Sequence, residues 1–254
     1  MEKLTVVIIT FNEEGNIGRC LESVTDIADE IVILDSNSTD KTVEIARGFG
    51  AKVVQQPFAG YIEQKNKALN LATHDFVLCL DADEALDTTL RESIKKEKNE
   101  FRAQGYSMNR CTFYCGKFIR HGTWYPDRKL RLFNKKLARW KGINPHDKVE
   151  FDSPQKQLHL AGDLLHYSYN SLEEHSIQNN RFSTISAQAY FTRGKKFSWL
   201  NLLVNPSWAF INGYIIRGGF LDGIRGFIIA KNVAHLTFMK YYKLYALHKG
   251  IPVK

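Results

Sequence analysis

The sequence predicts an α/β fold in which a mixed sheet carries helices on both faces, followed by a helical C-terminal extension. Three observations favour this fold class. Four short apolar segments alternate with three amphipathic segments in residues 1–80, and polar clusters follow three of the apolar segments. Basic and aromatic residues are concentrated at the C-terminal end. We therefore expect an α/β domain at residues 1–192 and a basic, aromatic extension at residues 193–254.

The elements of the first 80 residues follow from residue type and spacing. The strands are short and rich in β-branched residues, and the helices carry apolar residues at helical spacing. Their alternation implies parallel strands joined by right-handed crossovers. The predicted strands are 4–9, 30–34, 52–55 and 76–80, and the predicted helices are 16–27, 41–49 and 62–71.

The remainder of the chain has another pattern. A charged segment predicts a helix over residues 86–100, and alternating, aromatic residues predict antiparallel strands within 102–120. A further strand is expected at residues 129–134. Helices are expected at residues 171–193 and 227–248. The sheet should therefore be mixed, with its antiparallel part encoded after residue 100.

The composition is that of a globular protein with a substantial core, since 44% of its 254 residues are hydrophobic. No signal peptide is expected, because the apolar run at residues 6–9 is short and acidic residues follow at once. The four cysteines lack the paired spacing of a zinc site. We therefore expect a reducing, cytoplasmic location.

Polar residues follow three of the predicted strands, at Thr10–Glu14, Asp35–Asp40 and Asp81–Glu84. The carboxyl ends of parallel strands lie at one edge of a sheet, where open α/β folds bind ligands. We therefore expect the three clusters to converge on one ligand. None of them is a G-x-G-x-x-G or a Walker A motif, which argues against a dehydrogenase and a P-loop NTPase.

Asp81 and Asp83 are the candidate metal ligands of this edge. Residues two apart share a face of a regular strand, and carboxylates suit Mg²⁺ or Mn²⁺ with substrate phosphates completing the coordination. An acidic loop that caps the helix predicted from residue 86 would explain the same residues without a metal. Asp35 could hold a ribose or a base, and the cationic Lys65 could face a diphosphate.

Four motifs, in this order and spacing, resemble those of family 2 glycosyltransferases with the GT-A fold. They are TVVIITFNEE, IVILDSNSTDKT, a Gln-Lys-Asn helix and LCLDADE, and they cover roughly the first third of the chain. The resemblance implies a metal-dependent enzyme that transfers a hexose from a nucleotide-diphosphosugar such as UDP-glucose, with inversion of the anomeric carbon. The divalent metal would be Mg²⁺ or Mn²⁺.

The resemblance also assigns roles to residues. Lys65 would lie near the diphosphate, and Asp81 and Asp83 would be the Asp-x-Asp pair around the metal. A late histidine often completes such a metal site, so His166 could be a third ligand, or it could be structural. The residues implied to line the base and ribose are Thr10, Phe11, Glu13 and Asp35.

Beyond the metal motif, RKLRLFN, WKGINPHDKVE and LLHYSY resemble a bacterial branch of the family, the lipopolysaccharide core β-1,4-glucosyltransferases. An inverting transfer needs a general base. The carboxylates available are Asp127, Asp147 and Glu150, and we expect Asp147 to be the base, with Asp127 second. In that branch the pattern is closer to Val-His-Glu, so the acid of Pro145-His146-Asp147 is one methylene shorter. His146 could orient Asp147 or simply pack.

The resemblance implies a lipid-linked acceptor, such as the lipopolysaccharide inner core, at the cytoplasmic face of the inner membrane. Transfer to a polyprenyl phosphate or another envelope glycan is the alternative within the same class. A non-catalytic scaffold that binds nucleotide-sugars is a second alternative. A nucleotidyltransferase is disfavoured, because residues 10–15 lack the glycine-rich basic loop expected after the first strand.

The C-terminal extension carries the net positive charge. Residues 193–254 contain ten Lys or Arg residues and one acid, Asp222, whereas residues 1–192 contain 25 basic and 26 acidic side chains. Residues 197–216 are uncharged and long enough to span a bilayer, but three asparagines and a proline disfavour hydrocarbon. With eleven aromatic residues, the extension predicts helices at an anionic membrane surface. Packing on the α/β domain or on a second subunit, or binding to nucleic acid, are the alternatives.

Overall fold

The structure is a computed structural model that describes residues 2–143 and 146–253, with only the backbone described at residues 143 and 146. Its contacts divide the chain into two compact units. The first unit comprises Met1–Arg110 and Asp127–Tyr167, and the second comprises Cys111–Pro126 and Ser168–Lys254. The domain division predicted between residues 192 and 193 stays a prediction.

The first unit begins with the predicted alternation of strands and helices. The four strands are parallel and lie in the order β3-β2-β1-β4. Helix α1 ends five residues earlier than predicted, where the hydroxyls of Ser23 and Thr25 donate to backbone carbonyls of the preceding turn. The elements are β1 Leu4–Thr10, α1 Ile17–Glu22, β2 Glu30–Asp35, α2 Thr42–Gly48, β3 Lys52–Gln55, α3 Tyr61–Leu71 and β4 Phe76–Asp81.

The later strands extend this sheet on the β4 side and make it mixed, as predicted. The order continues β4-β8-β6-β11-β5, with β8 antiparallel to β4 and β5 antiparallel to β11, while β7 pairs with β6. Strands β9 and β10 form a separate antiparallel pair. These elements are β5 Glu84–Leu86, α4 Thr88–Lys98, β6 Gly105–Tyr114, β7 Lys117–Phe118, β8 Asp127–Asn134, β9 Ala138–Ile143, β10 His146–Phe151 and β11 Gln157–Tyr169.

The helix predicted from residue 86 was placed too early. Residues 84–86 instead form β5, because their backbone pairs with β11. Helix α4 begins at Thr88, and the carboxylate of Asp87 caps it by accepting the N–H of Leu90 at 2.7 Å. The acidic loop therefore caps the helix through Asp87, and the carboxylates of Asp81 and Asp83 lie before the short strand.

Helices cover both faces of the sheet, as predicted. Alternate residues of β1 point to opposite faces: Val6 and Ile8 belong to one buried apolar cluster and Val7 belongs to another. The first cluster includes residues of α1 and α4, and the second includes residues of α3. The sheet is thus buried on two sides, which explains why its central strands are almost entirely apolar.

Strand β11 passes against the start of α4 at Gly162. The backbone of Gly162 has φ +99°, and a Cβ built there would lie 2.2 Å from the N atom and 2.6 Å from the Cα of Leu90. The N–H of Asp87 donates to the carbonyl of Asp163 at 3.0 Å across the same contact. A residue without a side chain is therefore required at this crossing.

The second unit is mainly helical, as expected for the C-terminal region. Its helices are α5 Leu172–Thr192, α6 Trp199–Phe210 and α7 Ile224–His248, with a π-helical turn at Ile211–Ile216 and a 3₁₀ turn at Gly219–Asp222. The buried residues Ala187, Leu202, Tyr241 and Leu244 join α5, α6 and α7 in one core. Within the described residues, no helix has both the length and the apolar character needed to cross a membrane.

Three glycines bring the backbones of these turns together. A Cβ at Gly226 would lie 1.8 Å from the carbonyl oxygen of Gly219, and a Cβ at Gly219 would lie 2.7 Å from that of Gly213. The π-helical turn, the 3₁₀ turn and the start of α7 are thus in direct backbone contact. The positions of these glycines in the sequence set the path of the chain between α6 and α7.

We expect Gly162→Ala to lower the free energy of unfolding by at least about 2 kcal/mol, because the new Cβ meets backbone atoms and the φ value is unfavourable. The control is Gly48→Ala, because a Cβ at Gly48 would meet nothing within 4 Å. This variant should change the free energy of unfolding by no more than about 1 kcal/mol. Urea unfolding of both variants measures the difference. Equal stabilities would show that β11 does not need this close approach.

Candidate functional site

The ends of β1, β2 and β4 bring three predicted site residues to one edge of the sheet. Thr10 pairs with Asp35 in register, and Ile9 pairs with Asp81. The loops that follow these strands therefore begin side by side. This edge is where an open parallel sheet binds ligands, so the predicted convergence of the polar clusters has a structural basis.

The loops after β1 and β2 are cross-linked by hydrogen bonds. The N–H of Asn12 donates to Ser38 Oγ at 2.8 Å, and the N–H of Thr39 donates to Asn12 Oδ1 at 2.8 Å. Asn12 adopts a positive φ of 53°, a conformation that asparagine tolerates better than most residues. Phe11, next to it, exposes 56% of its surface. A fixed loop thus presents an aromatic ring to any ligand at this edge.

Asp35 is completely buried at the end of β2. Its Oδ1 accepts the N–H of Ser38 at 2.9 Å and Nε2 of Gln55 at 3.0 Å, and its Oδ2 accepts the Ser38 hydroxyl. These bonds hold the loop after β2 in shape and orient the carboxylate at the edge of the sheet.

Glu13 lies in the same acidic region. Its Oε2 accepts Nδ2 of Asn16 at 2.8 Å. Burial raises the pKa of Glu13, the bond from Asn16 opposes that rise, and the negative charges of Asp83 and Asp81 add to it. Glu13 therefore lies in a region where several acidic side chains are close together.

Asp81 is the most highly connected residue of the site. Its Oδ1 lies 3.1 Å from Lys65 Nζ, and its Oδ2 lies 3.1 Å from Arg131 Nη2. Its N–H donates to Glu84 Oε2 at 3.0 Å. Burial opposes ionisation of Asp81, but the charges of Lys65 and Arg131 outweigh it and hold the pKa of this carboxyl well below its usual range.

Arg131 and Glu84 form a buried ion pair beneath Asp81. Arg131 Nη2 lies 2.7 Å from Glu84 Oε1, and the Glu84 side chain is entirely buried. The guanidinium also lies over the ring of Trp140, with 5.4 Å from Cζ to the ring centroid. The roles of Glu84 and Trp140 were not predicted from the sequence. The one sequence feature that points to this network is Arg131, which lies between two leucines of β8. Its position places a charge on an inward face of the sheet.

Lys65 connects Asp81 to the predicted base Asp147. Its Nζ lies 2.9 Å from Asp147 Oδ2, and it also lies over the Trp140 ring at 4.4 Å. Burial would lower the pKa of Lys65, but the negative charges of Asp81 and Asp147 raise it above its usual value. One ammonium group therefore forms ion pairs with two carboxylates. The predicted role of His146 lies outside the described side chains.

The second candidate base, Asp127, has its own cations. Its Oδ2 lies 2.9 Å from Arg110 Nη2, and its Oδ1 lies 3.0 Å from Lys129 Nζ. Arg110 Nη1 lies 3.9 Å from Glu84, which links Asp127 to the buried pair. Glu150 pairs instead with Lys148 at 2.7 Å and is not linked to Asp81 by any described contact. Among these carboxylates, Asp147 is the one that the described contacts join to Asp81 through a single residue, Lys65.

Asp83 and His166, two of the predicted metal ligands, contact one another directly. His166 Nε2 lies 3.2 Å from Asp83 Oδ2, and the N–H of Tyr167 donates to the Asp83 carbonyl at 2.9 Å. Within residues 2–143 and 146–253, no group of three or more His, Cys, Asp or Glu side chains is arranged to hold a metal ion. One oxygen and one nitrogen donor fit a divalent cation whose remaining ligands come from a substrate.

Comparisons with known proteins bear on this geometry. The model of glycosyl transferase family 2 matches residues 5–157. An uncharacterized glycosyltransferase of Rickettsia typhi is 35% identical over 254 residues, which cover 96% of this chain and 87% of that protein. The lipopolysaccharide core biosynthesis glycosyltransferase LpsC of Rhizobium meliloti is 30% identical over 260 residues, with 96% and 93% covered.

A solved structure supports the fold. The structure of S. aureus TarS 1-349 in complex with UDP-GlcNAc superposes with a TM-score of 0.50 at 16% identity, covering 99% of this chain and 93% of that one. Together with the mixed sheet and the helices on both faces, this likeness confirms the predicted GT-A fold.

We expect Arg131→Met to lower the free energy of unfolding by about 3–5 kcal/mol, because it leaves the buried Glu84 carboxylate without its nearest cation. The matched control is Lys136→Met, which removes a cation from an exposed pair with Asp75 and should cost about 1 kcal/mol or less. Urea unfolding at neutral pH measures both. A loss for Arg131→Met no greater than the control's would contradict the central place given to this pair.

Proposed function

The chain belongs to glycosyl transferase family 2, and from that membership we propose that it transfers a hexose from a nucleotide-diphosphosugar to a lipid-linked saccharide of the lipopolysaccharide core. The observation that carries the proposal is the convergence of Asp81, Lys65 and Asp147 at the carboxyl edge of the sheet. The donor is UDP-glucose or a similar UDP-sugar. The acceptor class is supported by the similarity to LpsC over nearly the whole chain.

The donor occupies the cross-linked loops after β1 and β2. The base stacks near the exposed ring of Phe11 and is held by Asp35, while Lys65 contacts the diphosphate. Because Asn12 and Ser38 already fix these loops, little order has to be gained on binding. The residues proposed for the base and ribose are Thr10, Phe11, Glu13 and Asp35.

Asp83 and His166 would hold a Mg²⁺ or Mn²⁺ ion, together with Asp81 of the same Asp-x-Asp pair. When bound, such an ion neutralises the charge that develops on the leaving diphosphate. Asp81 remains paired with Lys65 and Arg131. It therefore contributes to the site by its own charge and by holding these two cations in position. The contact between Asp83 and His166 is the support for this assignment.

Asp147 accepts the proton of the acceptor hydroxyl as that oxygen attacks the anomeric carbon, which inverts its configuration. In the donor-free protein Asp147 is neutralised by Lys65. A diphosphate beside Lys65 provides that ammonium with another anionic partner, which leaves the Asp147 carboxylate available as a base. Asp127, bound by Arg110 and Lys129, is the second candidate.

The enzyme acts at the cytoplasmic face of the inner membrane as a peripheral protein, because a lipid-linked acceptor has its saccharide at the bilayer surface. Two other functions remain open to the same fold. One is transfer to a polyprenyl phosphate or another envelope glycan, which differs only in the acceptor. The other is a scaffold that binds nucleotide-sugars without turnover, against which the paired Asp81, Lys65 and Asp147 argue.

Calorimetric titration with a panel of nucleotide-sugars, beginning with UDP-glucose, tests the donor site. We expect one donor to bind in the presence of Mn²⁺ and to lose affinity with EDTA. Asp83→Ala should weaken binding by at least about tenfold, since it removes a charged ligand of the metal. Asp75→Ala, which changes an exposed acid, is the control. Failure of every donor to bind, with or without metal, would contradict the proposal.

Transfer assays with purified core lipids test the base. We expect Asp147→Asn to reduce the turnover rate by about 10²–10⁴-fold while donor affinity is retained. Asp127→Asn, an isosteric change in the second candidate, should reduce it far less. The reverse order of the two losses would assign the base to Asp127, and unchanged turnover in both would exclude a carboxylate base at either position.

A further inference from the structure

We infer that the second unit docks on an anionic lipid bilayer through one apolar face formed by α6 and the π-helical turn. This inference deepens the proposed function, since a lipid-linked acceptor lies in such a bilayer. The face itself is argued from the exposure and charge of the described residues.

Large apolar side chains recur along α6 and the turn at intervals of three or four residues. Residues at this spacing share one side of a helix. Leu200 exposes 70% of its surface and Trp208 exposes 56%, although both are side chains that ordinarily avoid water. The members of this docking face are Leu200, Val204, Trp208, Ile211 and Ile215, all of which are exposed.

The opposite side of α6 is buried in protein. Leu202 belongs to the core formed with Tyr241 and Leu244 of α7. Helix α6 therefore has one apolar side packed on α7 and a second apolar side in contact with solvent. A helix of this kind is suited to lie in the plane of a membrane surface, with protein on one side and acyl chains on the other.

Exposed apolar residues continue from the end of the π-helical turn to the start of α7. They include Ile216, Phe220, Leu221 and Ile224. A run of this size is larger than the scattered apolar residues found on most soluble surfaces, and runs of this kind mark interaction sites. Tryptophan is suited to the headgroup region, because its ring is apolar and its N–H can still be hydrated.

The charges near the docking face are basic. Lys195 and Lys196 are exposed just before α6, and Arg217 is exposed at the end of the π-helical turn. Asp222, the one acid in residues 193–254, is buried and accepts the N–H groups of Arg120 and His121 at 3.0 and 2.9 Å. The exposed charges of this segment are therefore all positive where the structure describes it, which complements anionic headgroups.

The same charges argue against a second copy of the chain as the occupant. A symmetric contact through this face would bring the Lys196 and Arg217 side chains of two copies towards one another, and like charges oppose association. An anionic bilayer supplies both an apolar phase and the opposite charge. We therefore commit to the bilayer, and self-association becomes an outcome of the test.

Co-sedimentation of the full chain with vesicles, in the absence of donor, tests the inference. We expect binding to vesicles that contain phosphatidylglycerol and little binding to pure phosphatidylcholine. The double variant Trp208→Glu with Ile211→Glu should reduce partitioning by about tenfold or more. The double variant Lys196→Glu with Arg217→Glu should reduce partitioning by at least about fivefold for each residue changed.

Matched controls lie on the first unit. Phe49→Glu and Lys96→Glu change an exposed aromatic residue and an exposed lysine outside the docking face, and they should leave partitioning unchanged. Tryptophan fluorescence separates insertion from adsorption. Emission should shift to the blue on phosphatidylglycerol vesicles. The shift should largely disappear when Trp208 and the neighbouring Trp199, which exposes 63% of its surface at the start of α6, are both replaced by Phe.

The inference would be overturned if the double variant Trp208→Glu with Ile211→Glu partitioned onto the vesicles as strongly as the wild-type protein. An absence of vesicle binding in a chain that self-associates in sedimentation velocity experiments would also overturn it. A protein that binds vesicles but binds no nucleotide-sugar would contradict the proposed function alone. A protein that transfers sugar but does not bind vesicles would contradict the docking face alone.

Discussion

The buried contact between Arg131 and the carboxylates of Asp81 and Glu84 is the constraint on which the site depends. Arg131 comes from an antiparallel strand, and the two acids flank the turn after the last parallel strand. A charge buried without a partner is strongly unfavourable, so losing Arg131 alone would destabilise the junction between the two halves of the sheet. Lys65 then extends the network from Asp81 to Asp147, which places a carboxylate of the β9–β10 pair beside the end of β4.

Much of the first unit could be predicted because its information is local. Runs such as the one from Leu4 to Thr10 are apolar and β-branched, and their alternation with helices leaves few possible topologies. The prediction failed where long-range pairing decided the outcome. A charged helix was predicted to start at Leu86, but pairing with β11, about 80 residues later in the chain, makes Glu84–Leu86 a strand. The C-terminal end of α1 was predicted too late. The hydroxyls of Ser23 and Thr25 donate to backbone carbonyls of α1, and the sequence pattern does not show these bonds.

The candidate site was predictable to a similar degree. Asp81 and Lys65 could be identified because they follow a strand or lie on a helix at the edge where ligands bind. That Lys65 reaches Asp147 could not be predicted, since the two residues lie 82 positions apart. The role of Glu84 was not predicted. A buried acid needs a cationic partner, and the sequence does not show which arginine reaches Glu84. The roles of individual site residues remain predictions, whereas the family and the GT-A fold are confirmed.

The contacts among Gly213, Gly219 and Gly226 have a consequence for how this chain can change in evolution. A Cβ at Gly226 would meet the carbonyl of Gly219, and a Cβ at Gly219 would meet that of Gly213, so the numbers of residues between these glycines are constrained together with the identities of Gly219 and Gly226. Deleting a residue between Gly213 and Gly219 would change that number and shift Gly219 away from the carbonyl of Gly213. Insertions and deletions should therefore be rare between residues 213 and 226. They should be tolerated instead at Gly194, where a side chain would meet nothing within 4 Å.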